Sequence, residues 1–207
     1  SSDLVAVLLA ALYMFPLFAP VLLAVAVLWW LAATFLVLTY PDSSRYWGAM
    51  PGRLLIGLLV LLPAWQGLVL LKQWPQANAL IIAVMVLVWG ADIGAYFSGK
   101  AFGKRKLAPR VSPGKSWEGV YGGLAASLSI TLVVGLQQGW SVSGLVLALL
   151  GAAVVVLISV VGDLTESMFK RQSGIKDSSN LLPGHGGVLD RIDSLTAAIP
   201  VFAALLW

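Results

Sequence analysis

Residues 4–41 contain no Lys, Arg, Asp or Glu, and this uncharged stretch constrains the fold more than any other feature of the sequence. Across the 207 residues only 11% are charged, whereas 59% are hydrophobic. Soluble domains carry roughly 25% charged residues, so this chain lacks the charge to cover a water-exposed surface. The composition excludes a soluble enzyme, a nucleic-acid-binding module and a disordered tail. It predicts an all-α fold, a polytopic bundle of transmembrane helices.

A membrane-spanning helix needs about 20 mostly apolar residues. The apolar segments predict six or seven spans in a single transmembrane domain over 1–207, of which the first and the last are short. The chain opens without Met and without the basic start of a signal peptide, so we expect a cut or processed N-terminus. The predicted spans are Leu4–Phe18, Val21–Tyr40, Leu54–Leu71, Ala79–Phe97, Gly119–Leu136, Ser143–Val161 and Leu195–Trp207.

The basic residues predict the orientation of the bundle. Segments 41–53, 98–118 and 163–193 fall on one face of the membrane and hold all but one of the 13 Lys and Arg residues. Lys72 alone falls on the opposite face, so the positive-inside rule makes the first face cytoplasmic. Six tryptophans near span ends are typical of an interfacial aromatic belt: Trp47, Trp65, Trp74, Trp117, Trp140 and Trp207.

Polar residues are concentrated in segments 92–118 and 163–193, which hold ten of the 13 basic and seven of the nine acidic residues. The chain has no Cys and one His, which excludes thiolate metal sites and a zinc site built from histidines. We therefore expect the active site in these two segments, built from oxygen ligands and cations.

Two pairs of acids lie three residues apart, Asp163 with Glu166 and Asp190 with Asp193, so each pair shares a helix face. Such acids repel one another, and a divalent cation would relieve the repulsion. Oxygen ligands favour Mg²⁺, Mn²⁺ or Ca²⁺ over zinc. The alternative is neutralisation in ordinary ion pairs, and spacing alone does not decide between the two. The available cations are Lys170, Arg171 and Arg191.

The stretch Gly184-His185-Gly186-Gly187 precedes an acidic helix start, where exposed N–H groups favour phosphate. The alternative is a plain turn that uses two glycines. Four basic side chains in the same segment strengthen the phosphate interpretation, and His185 is then a phosphate contact or a proton carrier. They are Lys170, Arg171, Lys176 and Arg191.

Asp92 lies near the end of a predicted span, and an acid in a membrane helix favours a functional role. The alternative is that its carboxylate reaches the membrane interface, because Asp92 is only a turn or two from Lys100. Its neighbours Gly90, Ala91, Gly94 and Ala95 are small and predict close helix approach. Further on, the run 114–116 reads Gly-Lys-Ser like the end of a P-loop, but the required upstream glycine is a proline and no strand is expected before it. A basic loop suited to phosphate or lipid headgroups is predicted instead.

The run 167–193 resembles the signature of the phosphatidate cytidylyltransferases without a departure. It reads Ser-Met-Phe-Lys-Arg, four residues, Lys-Asp, then Leu-Pro-Gly-His-Gly-Gly-Val-Leu-Asp-Arg-Ile-Asp from position 182. Three further motifs agree with the bacterial members, at 162–167, 92–96 and 112–116, where Ser116 stands for the more usual Thr. The resemblance covers the chain from about Leu54 to its end. Members usually begin with further N-terminal helices.

The resemblance implies an enzyme that converts CTP and phosphatidate to CDP-diacylglycerol and pyrophosphate. The implied cofactor is Mg²⁺, and a second cation is compatible with it. The implied location is the cytoplasmic face of a bacterial inner membrane. The implied partners are these two substrates and membrane lipid, with no nucleic acid; a homodimer is compatible with the sequence. The implied catalytic residues are Asp163, Asp190, Asp193, Lys170, Arg171 and His185. Substrate binding is implied for Lys115, Ser112, Lys176, Asp177, Gly186, Gly187 and Arg191. The implied metal ligands are Asp163, Asp190, Asp193, Glu166 and Asp92.

Two other functions remain open at this point. A CTP-dependent polyprenol kinase would transfer the γ-phosphate of CTP to an alcohol. An ion-coupled transporter would use the acids as coupling sites, although such residues usually lie at the membrane midplane in repeated halves, and no repeat is found here.

Overall fold

The structure, a computed structural model, describes residues 10, 13, 19–179, 181, 184 and 186–207. Most of the predicted span Leu4–Phe18 therefore lies outside the described residues. The elements are α1 (Ala19–Leu38), α2 (Ser44–Trp47), α3 (Met50–Gln73), α4 (Ala77–Phe102), β1 (Lys106–Ala108), β2 (Ser112–Ser116), α5 (Trp117–Gln137), α6 (Val142–Gln172) and α7 (Leu189–Leu206).

Five of these helices, α1, α3, α4, α5 and α6, are long and apolar enough to cross a membrane. An α-helix pairs its backbone N–H and C=O groups within the segment, which is what a segment in lipid requires. Four of them include a whole predicted span, and α1 ends two residues before the predicted end of its span at Tyr40, so the prediction of a polytopic helical bundle is confirmed. α7 is shorter, with 18 residues and Pro200 inside it, and it packs against α3 and α6.

Helix α6 continues well past the predicted end of its span at Val161. Its 31 residues extend about 46 Å at 1.5 Å per residue, whereas a bilayer core is about 30 Å thick. The segment from Asp163 to Gln172 contains no Gly or Pro, and Lys170 and Arg171 in the last turn favour the helix C-terminus electrostatically. Gly174, with φ of +69°, follows where the helix ends. The acids of this segment therefore lie on a rigid helix.

Small residues bring α4 and α5 close together, as the sequence predicts. A Cβ atom built on Gly94 would lie 2.5 Å from the carbonyl oxygen of Gly122 and 2.7 Å from the Cβ of Ala126. Such distances leave no room for a side chain, so the two backbones pack directly. Ser127 adds a hydrogen bond from its hydroxyl to the carbonyl oxygen of Leu87, at 2.7 Å.

Segment 106–116 forms an antiparallel β-hairpin, in which Lys106 pairs with Ser116 and Ala108 with Ser112. The sequence-based expectation that no strand precedes the Gly-Lys-Ser run is wrong, because β1 precedes it. That run lies inside β2, an antiparallel strand, rather than in a phosphate loop between a strand and a helix. Ser116 then caps α5 by accepting the N–H of Gly119 at 3.2 Å.

Trp47 is buried, which corrects its assignment to the interfacial belt. Only 3% of its surface is exposed, and its ring packs edge-on against Phe169 of α6 with the ring centroids 4.9 Å apart. Trp30 of α1 is also buried, in the same apolar cluster. The other five predicted belt tryptophans are exposed. Trp47 therefore belongs to the core around the end of α6.

Candidate active site

Three charged side chains follow one face of the last turns of α6: Asp163, Glu166 and Lys170 are spaced i, i+3 and i+7. Lys170 Nζ lies 2.5 Å from Glu166 Oε2 and 2.7 Å from Asp190 Oδ1. Asp190 stands in the first turn of α7, so the lysine bridges the two helices. Ion pairing with Lys170, which the sequence left open as an alternative, is therefore found for Glu166 and Asp190.

Asp190 anchors the segment between α6 and α7. Its Oδ2 accepts the backbone N–H of Ser178 at 2.9 Å, the Ser178 hydroxyl at 2.8 Å and the N–H of Gly187 at 2.7 Å. Burial alone would raise the pKa of Asp190, but the hydrogen bonds from Lys170, Gly187 and Ser178 outweigh it and hold this pKa well below its usual range. Both carboxylate oxygens of Asp190 are therefore engaged within the protein.

Gly186 lies beside this anchor in a conformation that only glycine adopts easily. Its φ is +79°, and a Cβ atom there would lie 2.7 Å from Asp190 Oδ2. Gly187 is buried and donates to the same oxygen. The two glycines therefore shape the backbone around Asp190, while His185 between Gly184 and Gly186 lies outside the described residues.

Asp193 faces α6 from the second turn of α7. A Cβ atom on Gly162 would lie 2.8 Å from the carbonyl oxygen of Asp193, so the glycine lets the helices touch at this level. Burial, followed by the negative charge of Asp163, raises the pKa of Asp193 above its ordinary value. Close by, Glu166 Oε1 is buried and accepts no hydrogen bond from the described residues. The structure thus gathers Asp163, Glu166 and Asp193 along one helix contact.

The donors fit a hard divalent cation in kind, since they are carboxylate oxygens and one of them, Glu166 Oε1, is buried without a hydrogen-bond partner among the described residues. Within that part of the chain, however, no three acids are arranged as a group that could hold a metal ion. Lysines contact two of the acids instead, Lys115 on Asp163 and Lys170 on Glu166. A metal at this place stays a prediction.

A cavity of about 280 Å³, here called the Arg53 cavity, lies on one side of α6. Its walls are mostly apolar and aromatic, and Glu166 and Asp193 contribute carboxylates. Arg53 is the basic residue among its described lining residues. The lining consists of Trp30, Trp47, Arg53, Ile56, Gly57, Val60, Leu61, Gly162, Thr165, Glu166, Phe169, Ser173, Leu189, Asp193 and Thr196.

A second cavity of about 260 Å³, the Lys115 cavity, lies between α4, β2, α5 and α6. It combines Asp92, Lys115 and Asp163, and Lys115 Nζ lies 2.6 Å from Asp163 Oδ2. The lining consists of Ala91, Asp92, Ala95, Tyr96, Gly99, Gly114, Lys115, Ser116, Gly119, Val120, Gly123, Val156, Val160 and Asp163. The polar ends of the two predicted site segments therefore meet here.

Other predicted site residues lie around this centre. Arg171 donates from Nε to the carbonyl oxygen of Val111 at 3.2 Å and so ties the hairpin to α6. Ser112 pairs within the hairpin and is not among the described lining residues of either cavity. Three more are exposed: Lys176 and Asp177 follow α6, and Arg191 is in the first turn of α7.

Sequence reasoning missed the Arg53 cavity. It counted Arg53 only as a positive-inside charge, although Arg53, Gly57 and Val60 follow one face of α3 at helical spacing. The regular spacing of a cation, a glycine and an apolar residue on one helix face could have indicated a cavity beside α3. No sequence signal places α3 on the same side of the bundle as α6. In the structure α3 packs mainly against α7 and α1, and the cavity lies between α3 and α6.

The similarities to known proteins agree with this geometry. The model of the cytidylyltransferase family matches residues 3–207. The phosphatidate cytidylyltransferase of Pseudomonas aeruginosa is 80% identical over 203 residues, which cover 98% of this chain and 75% of that protein. The phosphatidate cytidylyltransferase of Haemophilus influenzae is 50% identical over 195 residues, which cover 88% of this chain and 67% of that protein. With a match over nearly its whole length and charged motifs gathered along α6 and α7, the chain belongs to the cytidylyltransferase family.

Proposed function

We propose that this chain is a phosphatidate cytidylyltransferase, which transfers the cytidylyl group of CTP to the phosphate of phosphatidate. The observation that carries the proposal is the line of charged residues on α6 between two cavities. The Lys115 cavity is lined mainly by small and charged residues, and the Arg53 cavity has larger apolar and aromatic walls. An enzyme that joins a nucleotide to a lipid needs both environments at one reacting centre. Relatives with 80% and 50% identity bear this name, which supports the same reaction here.

The chemistry needs no side-chain nucleophile. An oxygen of the lipid phosphate, already deprotonated, attacks the α-phosphorus of CTP and forms a new phosphoanhydride bond. The bond from this phosphorus to the oxygen bridging to the β-phosphate breaks, and its electron pair leaves with pyrophosphate. The barrier comes from bringing two anions together and from charge on the leaving group, so positioning and cations supply most of the catalysis.

Basic residues on this centre suit that task. Lys115 in the Lys115 cavity contacts one carboxylate at 2.6 Å, and Lys170 between α6 and α7 contacts two at 2.5 and 2.7 Å. Each lysine can exchange a carboxylate for a phosphate oxygen. Arg171, Lys176 and Arg191 add positive charge nearby. In this proposal Ser112, Asp177, Gly186, Gly187 and His185 contribute polar or backbone contacts to the substrates.

The proposal includes Mg²⁺, although the acids of the described residues do not form a group of three that could hold a metal ion. The ligands we expect are Asp163, Glu166 and Asp193, and Asp92 and Asp190 are further candidates. When bound, the ion would supply positive charge beside the reacting phosphates. Glu166 Oε1 has the clearest capacity for a ligand, because it is buried and without a hydrogen-bond partner among the described residues. Asp190 contributes mainly by fixing the segment before α7, since its oxygens already accept hydrogen bonds.

In a bacterial inner membrane, the charged ends of α4 and α6 would face the cytoplasm, where CTP is present. The distribution of Lys and Arg supports this orientation, because only Lys72 falls on the other predicted face. The long extension of α6 would carry the acids beyond the hydrocarbon region toward the nucleotide.

The purified chain in detergent micelles with phosphatidate and Mg²⁺ provides the test. We expect CTP labelled at the α-phosphate to label the lipid, and CTP labelled at the γ-phosphate to release labelled pyrophosphate. Transfer of the γ-label to lipid would instead indicate a kinase and overturn the proposal. The Asp193→Asn variant serves as the control that we expect to be inactive, and a thermal unfolding curve tests whether it still folds.

A further inference from the structure

The Arg53 cavity has the composition of a site for the head of a lipid. Trp30, Ile56, Val60, Leu61 and Phe169 give it apolar walls. Its carboxylates, Glu166 and Asp193, belong to the same acids that approach the Lys115 cavity through Asp163. If an anionic lipid binds with its phosphate near α6, the apolar walls of this cavity can therefore contact the glycerol end of the lipid.

The positive charge of Arg53 is not neutralised by an acid among the described residues. Its side chain is exposed, and it makes no ion pair or side-chain hydrogen bond with the residues that the structure describes. It belongs to the first turn of α3, at the end of a helix long enough to span the membrane. A guanidinium can hold a phosphate through two parallel N–H···O bonds, which an ammonium cannot do.

Gly57 shows that the cavity has room at the next turn of α3. A Cβ atom on Gly57 would meet no atom within 4 Å, although the residue is in the middle of a helix and lines the cavity. Gly114 is its counterpart in the Lys115 cavity, where a Cβ atom would also meet nothing within 4 Å. A larger side chain at either position would fill one cavity and leave the other unchanged.

We propose that Arg53 binds the phosphate of the lipid substrate and that the Arg53 cavity receives its glycerol end, an assignment that rests on the proposed function. The volume of about 280 Å³ lies at the lower limit of small-molecule sites, so the cavity takes the head of the lipid and leaves the acyl chains outside. The nucleotide then occupies the Lys115 cavity. The two substrates approach α6 from different sides, which brings the lipid phosphate and the α-phosphate of CTP to the acids between them.

The test compares Michaelis constants for the two substrates in mixed micelles, for Arg53→Gln, Arg53→Lys, Gly57→Leu and Gly114→Leu. Loss of a charge-assisted hydrogen bond of about 1.5–3 kcal/mol corresponds to about a tenfold to hundredfold loss of affinity. Arg53→Gln and Gly57→Leu are expected to raise KM for phosphatidate at least about tenfold and to leave KM for CTP nearly unchanged. Arg53→Lys should recover only part of the loss, and Gly114→Leu should raise KM for CTP instead.

Unchanged constants for phosphatidate in both Arg53→Gln and Gly57→Leu would overturn the proposal, as would an effect of Arg53→Gln on CTP alone. Gly151→Ala is the control for a glycine change in a helix, since Gly151 lines neither cavity and its Cβ would make only an ordinary contact of 3.7 Å to Leu205.

Failure of the proposed function is distinguishable from failure of this assignment. If the wild-type chain transfers no α-label, the reaction is wrong, and equilibrium binding then tests the cavity directly. Short-chain phosphatidate, with short-chain phosphatidylcholine as the comparison, should bind the wild type and lose at least about tenfold in affinity in Arg53→Gln. Equal binding of phosphatidate to wild type and variant would refute the role of Arg53.

Discussion

Lys115 Nζ and Asp163 Oδ2 lie 2.6 Å apart, and this ion pair joins the β-hairpin to the extended part of α6. Both side chains are a little more than a quarter exposed, so water still reaches the pair from the Lys115 cavity. A partly exposed pair of this kind contributes little to stability compared with its electrostatic effect on a bound ligand. Its main consequence is that the Lys115 ammonium lies in the cavity where we propose that the phosphates of CTP bind.

The Lys115→Met variant is expected to lose most of its activity. The change removes the cation and leaves Asp163 and Asp92 to repel the phosphates of CTP. Loss of one such stabilising contact costs on the order of a hundredfold in kcat/KM. Lys115→Arg, which keeps the charge, should retain more activity than Lys115→Met. Steady-state kinetics with α-labelled CTP measure both, and equal activities of the two variants would contradict an electrostatic role.

The class of fold could be predicted from composition, and the two charged segments could be proposed as the site on the same ground. A membrane span requires a long apolar run, so the uncharged stretches indicate the spans. An active site for anionic substrates requires charges, so the few charged segments indicate the candidate site. The course of the chain between 163 and 193 depends on tertiary contacts instead. The sequence therefore did not predict that α6 continues to Gln172. It also did not predict that the N–H groups of Ser178 and Gly187 donate to the carboxylate of Asp190.

Asp190→Asn and Asp193→Asn are expected to inactivate the protein for different reasons. The amide introduced by Asp190→Asn would keep one acceptor oxygen but lose the charge that attracts Lys170 and the three donors on Oδ2. The segment 173–188 should then exchange its amide hydrogens faster. Among the described residues, the carboxylate of Asp193 accepts the N–H of Ser194, its neighbour in α7, and no donor from segment 173–188. Asp193→Asn should therefore leave exchange in 173–188 nearly unchanged.

Hydrogen exchange by mass spectrometry and the α-label assay, applied to both variants, separate these two effects. Full activity of both variants would remove the basis for assigning the acids to the reaction. Faster exchange across 173–188 in Asp193→Asn, to the same degree as in Asp190→Asn, would show that the two acids share a structural role.

Gly94→Leu is expected to destabilise the protein by disrupting the contact between α4 and α5. The new Cβ would already lie 2.5 Å from the carbonyl oxygen of Gly122, so the helices must separate. Overpacking of this kind typically costs about 1–3 kcal/mol. Thermal unfolding in detergent should show a lower midpoint for Gly94→Leu, whereas Gly151→Ala should remain close to the wild type. A wild-type midpoint for Gly94→Leu would contradict the close packing of these helices.

The Arg53 cavity could not be predicted from sequence for a related reason. Its walls come from two distant parts of the chain, α1 to α3 and α6 to α7. In the sequence Trp47, which lines the cavity, resembles an interfacial anchor, and only its burial shows otherwise. The spacing of Arg53 and Gly57 indicates a shared face of α3 but not its partner helix. Packing between uniformly apolar helices leaves little periodic signal in the sequence, because lipid and protein interior favour the same residues.

Glu166→Gln is expected to raise the Mg²⁺ concentration needed for half-maximal activity. The substitution keeps the size of the side chain but removes the negative charge, and an amide is a weaker ligand for Mg²⁺ than a carboxylate. Removal of divalent cations with EDTA should abolish turnover in the wild type, and added Mg²⁺ should restore it. Binding of Mn²⁺, followed by electron paramagnetic resonance, gives a readout independent of catalysis and should weaken in Glu166→Gln.

Glu118→Gln is the matched control, since Glu118 lines neither cavity and pairs with Arg105 at 3.2 Å. Equal Mn²⁺ affinity and equal Mg²⁺ dependence in Glu166→Gln and the wild type would exclude Glu166 as a ligand.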